Sequence, residues 1–195
     1  MNFYNCTFVF LRHGKTLPNP VDSLRKLAHL GHEQAINFKE NYGNSFDKII
    51  SSSAIRAMQT VHDITEGKDS KEIISLDILY ALPGEEENDE LMRMGERHGY
   101  VSLHTYLEKE GDNSTLLHKI GQEGAFAIGE ILGNISNKKI LIVAHAVTIN
   151  SLIYWMFQES SIATEASLHI QLGECQALEI NTDADGKVAN VLFIQ

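Results

Sequence analysis

Three short stretches of this sequence carry side chains suited to one kind of chemistry. Leu11-Arg12-His13-Gly14-Lys15-Thr16 follows an apolar run, Ser51-Ser52-Ser53-Ala54-Ile55-Arg56 follows another, and Val143-Ala144-His145-Ala146 closes a third. The guanidiniums of Arg12 and Arg56 can grip the non-bridging oxygens of a phosphoryl group with paired hydrogen bonds and neutralise charge in its transition state. A neutral His13 imidazole between them can attack phosphorus and form a phosphohistidine, dividing one hard step into two. The attacking nitrogen must be unprotonated, so the other ring nitrogen should donate to a nearby acceptor such as a backbone carbonyl. His145 would donate a hydrogen bond to the phosphoryl group in flight. Gly14 permits close backbone approach, and amides at helix starts add further anion donors.

For these side chains to meet, the stretches must end neighbouring strands. Residues 6–11, 46–51 and 139–145 are short apolar, β-branched runs that read as buried strands, the last being the clearest. Helical spacing of apolar residues marks 24–42, weakened at Gly31, and 54–64, with Ser53 in the N-cap position. Residues 73–79 read as a strand or extended segment, 83–90 as an acidic loop, and 94–132 as mostly helical with a polar break at 111–114. An apolar helix over 147–157 and a hairpin of 177–180 with 188–194, turning at Asp183-Ala184-Asp185-Gly186, complete the chain. Strands alternating with helices predict an α/β fold with a mostly parallel sheet covered on both faces. Loops at the carboxyl ends of such strands are where open α/β sheets bind ligands. Without a linker, repeat or low-complexity segment, residues 1–195 are expected to form a single domain.

Composition narrows the partners. The 195 residues are 43% apolar and 22% charged, which is ordinary for a globular protein. A formal net charge of −10 argues against nucleic acid, yet a local cluster of arginines can still hold a small anion. Cys6 and Cys175 lie in apolar runs and read as reduced, buried thiols. No secretory leader and no membrane span are expected, which points to the cytoplasm. The other histidines form no metal-binding signature.

The blocks also carry a resemblance. Arg12-His13-Gly14-Lys15-Thr16 with Asn19 is similar to the R-H-G-x-T-x-x-N pattern of the histidine phosphatase superfamily, the phosphoglycerate mutase-like family. Leu27, Gly31, Gln34 and Ala35 resemble its L-T-x-x-G-x-x-Q-A helix. Ser52 to Thr60 resembles its S-S-x-x-x-R-A-x-Q-T block, and Val143 to Ala146 its V-x-H-G block. The blocks run in family order over nearly the whole chain. The resemblance implies a three-layer α/β/α sandwich, a phosphate pocket of Arg12, His13, Arg56 and His145, and phosphorylation of His13. It places Asn19 at an additional phosphate-binding position, and implies no metal or organic cofactor.

Departures from the pattern bear on the substrate. Lys15 stands where the family has Glu or Gln, Ala28 where it has Thr, and Ala146 where it has Gly, although Ala146 keeps the backbone N–H that can bind phosphate. Many members carry a proton-donating Glu in an L-x-E block, where alignment puts Ala81 here; Glu85, with Glu86 as substitute, is the nearest candidate donor. If neither serves, substrates with good leaving groups such as a phosphohistidine protein gain weight. His98, Arg93 and Arg97 are candidates for contacts beyond the phosphate. The expected activity is hydrolysis of a phosphomonoester on a small phosphorylated substrate. Protein phosphohistidine phosphatase is the alternative, followed by a phosphoglycerate-type mutase or an inactive member that binds phosphorylated ligands.

Overall fold

Alternation of side chains along the strands decides where the layers form. In chain order, the two-residue β1 (Phe3–Tyr4) precedes β2 (Thr7–Arg12), which runs through a loop and a 3-10 turn at Asp22–Leu24 into α1 (His29–Tyr42). Then come β3 (Lys48–Ser52), α2 (Ile55–Thr65) and β4 (Ile73–Leu76), followed by a 3-10 turn at Asp77–Leu79. Three helices succeed one another, α3 (Glu85–His98), α4 (Leu103–Glu110) and α5 (Thr115–Leu132). The chain closes with β5 (Ile135–Ser136), β6 (Lys139–Ala144), α6 (Ala146–Met156), α7 (Ser161–His169), β7 (Ala177–Thr182) and β8 (Val188–Ile194). This computed structural model describes residues 2–66, 73–80, 85–99 and 101–195, with the backbone alone for Glu85, Glu86, Asn88, Asp112 and Asn113.

The main sheet has six strands in the order β4-β3-β6-β2-β7-β8. β4, β3, β6 and β2 are mutually parallel, β7 is antiparallel to β2, and β8 is antiparallel to β7. Along β2, Phe8 and Phe10 face one side together with Ile140 and Ile142 of β6, and pack on Ile128, Ile149, Leu152 and Phe157 of the segment from α5 to α6. Val9 and Leu11 face the other side with Leu141 and Val143, against Ala35 and Phe38 of α1 and Ala57, Val61 and Ile64 of α2. The result is the expected helix–sheet–helix sandwich. A third, smaller cluster joins Met94 of α3, Leu103 and Tyr106 of α4 and Leu117 of α5.

The parallel register pairs Arg12 with Ala144, so the residues that follow the two strands, His13 and His145, emerge side by side. The His13 amide donates to the Ala144 carbonyl at 3.1 Å.

Several elements differ from their sequence reading. The first helix starts at His29, because residues 15–28 run back as an extended loop in which Thr16 pairs with Leu27. The second is capped at Ala54, whose amide donates to Ser52 Oγ at 3.3 Å, so Ser53 is not the cap. The segment 73–79 is a strand to Leu76 and a 3-10 turn beyond it. Of the presumed acidic loop, the part from Glu85 onward is helical, and residues 83 and 84 lie outside the described residues. The helix α7, with Ser160 Oγ accepting from the Ala163 amide, is additional. So is the pairing of β1 with β5, strands of two residues that leave no periodicity to detect.

Candidate active site

β2 ends in the middle of the sheet, which fixes Arg12 and His13 from both sides. His13 is 8% exposed, and its Nδ1–H donates to the Gly14 carbonyl at 2.8 Å. That bond settles the tautomer and leaves Nε2 with its lone pair in the pocket. Burial pushes the His13 pKa down to about 3; the Gly14 bond opposes the shift, and the charges of Arg56, Arg12 and Arg25 reinforce it. The ring is therefore neutral at ordinary pH. Arg56 Nε donates to His13 Nε2 at 3.2 Å.

The loop beyond His13 is held by residues whose types fit the motif blocks. Thr60 Oγ1 accepts from the Gly14 amide at 3.1 Å, Gln34 Oε1 from the Lys15 amide at 2.8 Å, and Gln59 Oε1 from the Leu27 amide at 2.8 Å. Gly31 touches the same loop: a Cβ there would fall 2.1 Å from the Lys15 carbonyl oxygen, so no side chain fits. The glycine that interrupts the helical pattern is thus the point where α1 meets the loop after His13.

Arg56 projects from the first turn of α2 and is 5% exposed. Its Nη1 donates to the Asp22 carbonyl at 2.7 Å and its Nη2 to Asp22 Oδ2 at 2.8 Å, and Nη2 also points at His145 Nδ1 at 3.3 Å. Arg12 Nη1 donates to the Leu172 carbonyl at 2.7 Å. His145 lies with its ring centroid 5.0 Å from that of His13, and its Nε2 is 3.0 Å from Ser52 Oγ. Desolvation, followed by His13, Arg56, Arg12 and Arg25, pushes the His145 pKa well below the usual imidazole value.

A pocket of about 450 Å³ opens over these groups and brings together Arg12, His13, Arg56, His145 and Ala146. Asn19 is not among its lining residues; its Oδ1 accepts from the Val21 amide at 2.8 Å in an exposed loop. Lys15 pairs with Glu174 at 3.2 Å and does not line the pocket either. The guesses for contacts beyond the phosphate are corrected. Arg93 pairs with Glu90 at 2.9 Å, Arg97 with Glu90 and Glu110 at 2.8 Å each, and His98 with Glu110, an ionic network that ties α3 to α4 outside the pocket. The side chains of Glu85 and Glu86 lie outside the described residues.

The structure also brings to the pocket residues that sequence reasoning missed. Asp22 and Arg25 line the pocket from the 15–28 loop, and Tyr80 lines it after β4. Burial raises the Asp22 carboxyl, but Arg56 and Arg25 outweigh it and hold its pKa below the usual value, so it is ionised. Nothing in the local pattern marks Asp22, because its contact with Arg56 spans 34 residues. Glu96 also lines the pocket and, among the described residues, makes no ion pair. It sits four residues after Met92, another lining residue on the same helix.

A search of curated proteins returns no significant match. Among solved structures, the chain is similar to a phosphoserine phosphatase from Entamoeba histolytica in complex with 3-phosphoglyceric acid, with a TM-score of 0.67, 19% identity and 97% of each chain covered. It is also similar to a phosphoglycerate mutase from Bacillus anthracis, with a TM-score of 0.63, 18% identity, and 97% of this chain and 92% of that one covered. The protein histidine phosphatase SixA complexed with tungstate superposes with a TM-score of 0.53 at 14% identity, over 97% of this chain and 94% of that one. At such identities these likenesses establish the fold. The family follows from a sequence model that matches residues 8–193, nearly the full length: the chain belongs to the histidine phosphatase superfamily, branch 1.

Proposed function

We propose that the chain is a phosphatase that hydrolyses a phosphomonoester through a phosphohistidine on His13. The observation that carries this reading is the state of His13, a neutral imidazole in the pocket whose Nδ1–H is committed to the Gly14 carbonyl and whose Nε2 holds the Arg56 Nε–H that a phosphoryl group would displace. The phosphoryl oxygens exchange for Asp22 on Arg56 and engage Arg12, His145 and the Ala146 amide. His13 Nε2 forms a bond to phosphorus, and the ester P–O bond breaks with its electron pair going to the alcohol oxygen. Glu96 gives that oxygen a proton, since Asp22 is already ionised and engaged by arginines. Water then attacks phosphorus as Glu96 takes its proton, the P–N bond breaks with its electron pair returning to His13 Nε2, and inorganic phosphate is released. The free, buried Cys6 and Cys175 fit a reducing, cytoplasmic setting.

Rapid quench with labelled p-nitrophenyl phosphate, followed by peptide mapping, should find an acid-labile, base-stable phosphate on His13. His13→Ala should lower kcat by about 10³-fold or more. Glu96→Gln should cost about 10²-fold on an alkyl phosphate and much less on p-nitrophenyl phosphate, whose leaving group needs no proton. Turnover with no label on His13 would overturn the nucleophile assignment. Equal losses on both esters would remove Glu96 as the proton donor. Release of inorganic phosphate, rather than its transfer to an added alcohol, distinguishes hydrolysis from mutase chemistry.

A further inference from the structure

The pocket has two unlike ends. All of its described cations belong to the phosphate end or are already committed. Arg12 and Arg56 flank His13, while Arg25 Nη1 donates to Asp22 Oδ1 at 3.1 Å and its Nη2 donates to Thr16 Oγ1. The Arg25 Nε–H is shut away from solvent and has no hydrogen-bond partner among the described residues. The opposite walls are formed by Leu91, Met92 and Met94 of α3, Leu117 and Ile120 of α5 and Val147 of α6. Tyr80 and Tyr106 add ring faces and turn their hydroxyls elsewhere, Tyr80 to Asp22 at 3.3 Å and Tyr106 to the Gly99 carbonyl. The acidic side chain here is Glu96, and no described lysine or arginine lines the pocket beside it.

We infer that the substrate is the phosphate ester of an uncharged, mainly apolar alcohol, whose hydrocarbon part lies against α3 and α5 while the phosphoryl group sits between Arg12 and Arg56. This rests on the phosphatase reading above and adds the class of leaving group to it. The volume fits, because about 450 Å³ lies within the range of small-molecule sites and greatly exceeds what a phosphoryl group fills. Chemistry fits as well. A leaving group bearing a carboxylate would meet no described cation on these walls, whereas methylenes gain from leaving water. Each methylene the walls cover should raise kcat/KM roughly fourfold. Two methionines among six wall residues let the surface adapt to chains of different shape.

The test compares hexyl phosphate, ethyl phosphate, glycerol 3-phosphate and phosphoserine on the full-length protein, with His13 labelling measured in parallel. All four release a primary alkoxide, and the two polar esters have the intrinsically better leaving groups, so a preference for hexyl phosphate runs against chemical reactivity. We expect hexyl phosphate to exceed ethyl phosphate by at least about tenfold in kcat/KM and phosphoserine by more. Met92 is 49% exposed, so Met92→Lys should fold, and it should reverse the order of hexyl phosphate and phosphoserine. Phosphoserine or glycerol 3-phosphate turned over as well as hexyl phosphate, with His13 labelled, would overturn the inference and leave the phosphatase reading standing. No hydrolysis and no label with any ester would overturn the reading on which it rests.

Discussion

At His13 the cost of burying a neutral imidazole becomes a property of the whole protein. The folded state binds a proton there only near pH 3, whereas an unfolded chain binds it near the ordinary imidazole value of 6.5. Between those limits the unfolded state holds more protons, so stability is complete above about pH 6.5 and falls as the pH drops toward 3. One such histidine contributes a slope of about 1.4 kcal/mol per pH unit, and His145, lowered in the same direction, adds to it. Calorimetry from pH 7 to pH 4 should show the unfolding temperature falling, with a shallower fall in His13→Asn; equal slopes would mean that His13 is not buried neutral. Arg12, His13, Arg56 and His145, which line one pocket, could be picked out in the sequence because each sits at, or within one turn of, a strand end, and strand ends are readable from apolar runs. Asp22, Tyr80 and Glu96 were not, since their place depends on a loop, a turn and a helix folding back over the sheet. Asn19 shows the converse, a residue with the right type and spacing whose oxygen is used by the backbone two residues on.

Among the elements, the contact between the catalytic loop and α1 is the tightest link between fold and chemistry. Gly14 and Gly31 face each other so closely that a Cβ on Gly14 would lie 2.6 Å from the Gly31 carbonyl oxygen. Gly31→Ala should therefore push the loop away and displace His13, lowering kcat/KM by about 10²-fold. Circular dichroism should be nearly unchanged, because the helix itself accepts alanine. Wild-type activity in this variant would show that the loop can yield without moving the nucleophile. The sequence marked Gly31 only as a weakness in a helical pattern, since periodicity reports which face is buried and not how near another backbone comes. The same limit explains why β6, with an apolar residue at every interior position, was unmistakable, whereas α3 was half hidden in what looked like an acidic loop. Its first turn is carboxylate-rich, which helix N-termini favour.

On the scale of the molecule, parallel pairing of β3, β6 and β2 gathers three strand ends at one edge, and ligand binding there should stabilise the whole fold. Inorganic phosphate at 100 times its dissociation constant should raise the unfolding temperature by about 5–10 °C, following from roughly 2.7 kcal/mol of linkage. Arg56→Ala should abolish most of that shift, and an undiminished shift would place the anion elsewhere. The order of elements was legible because strands and helices alternate, but the reversal of β7 was visible only through its hairpin with β8. The small cluster of Met94, Leu103, Tyr106 and Leu117 has a different consequence. It is a packing unit apart from the two cores that clamp the sheet. On the proposed reading, the wall residues Leu91, Met92 and Met94 can be exchanged for those of another member without disturbing the strand ends that hold His13. New specificities on this scaffold should arise by grafting those positions while Glu96 is kept.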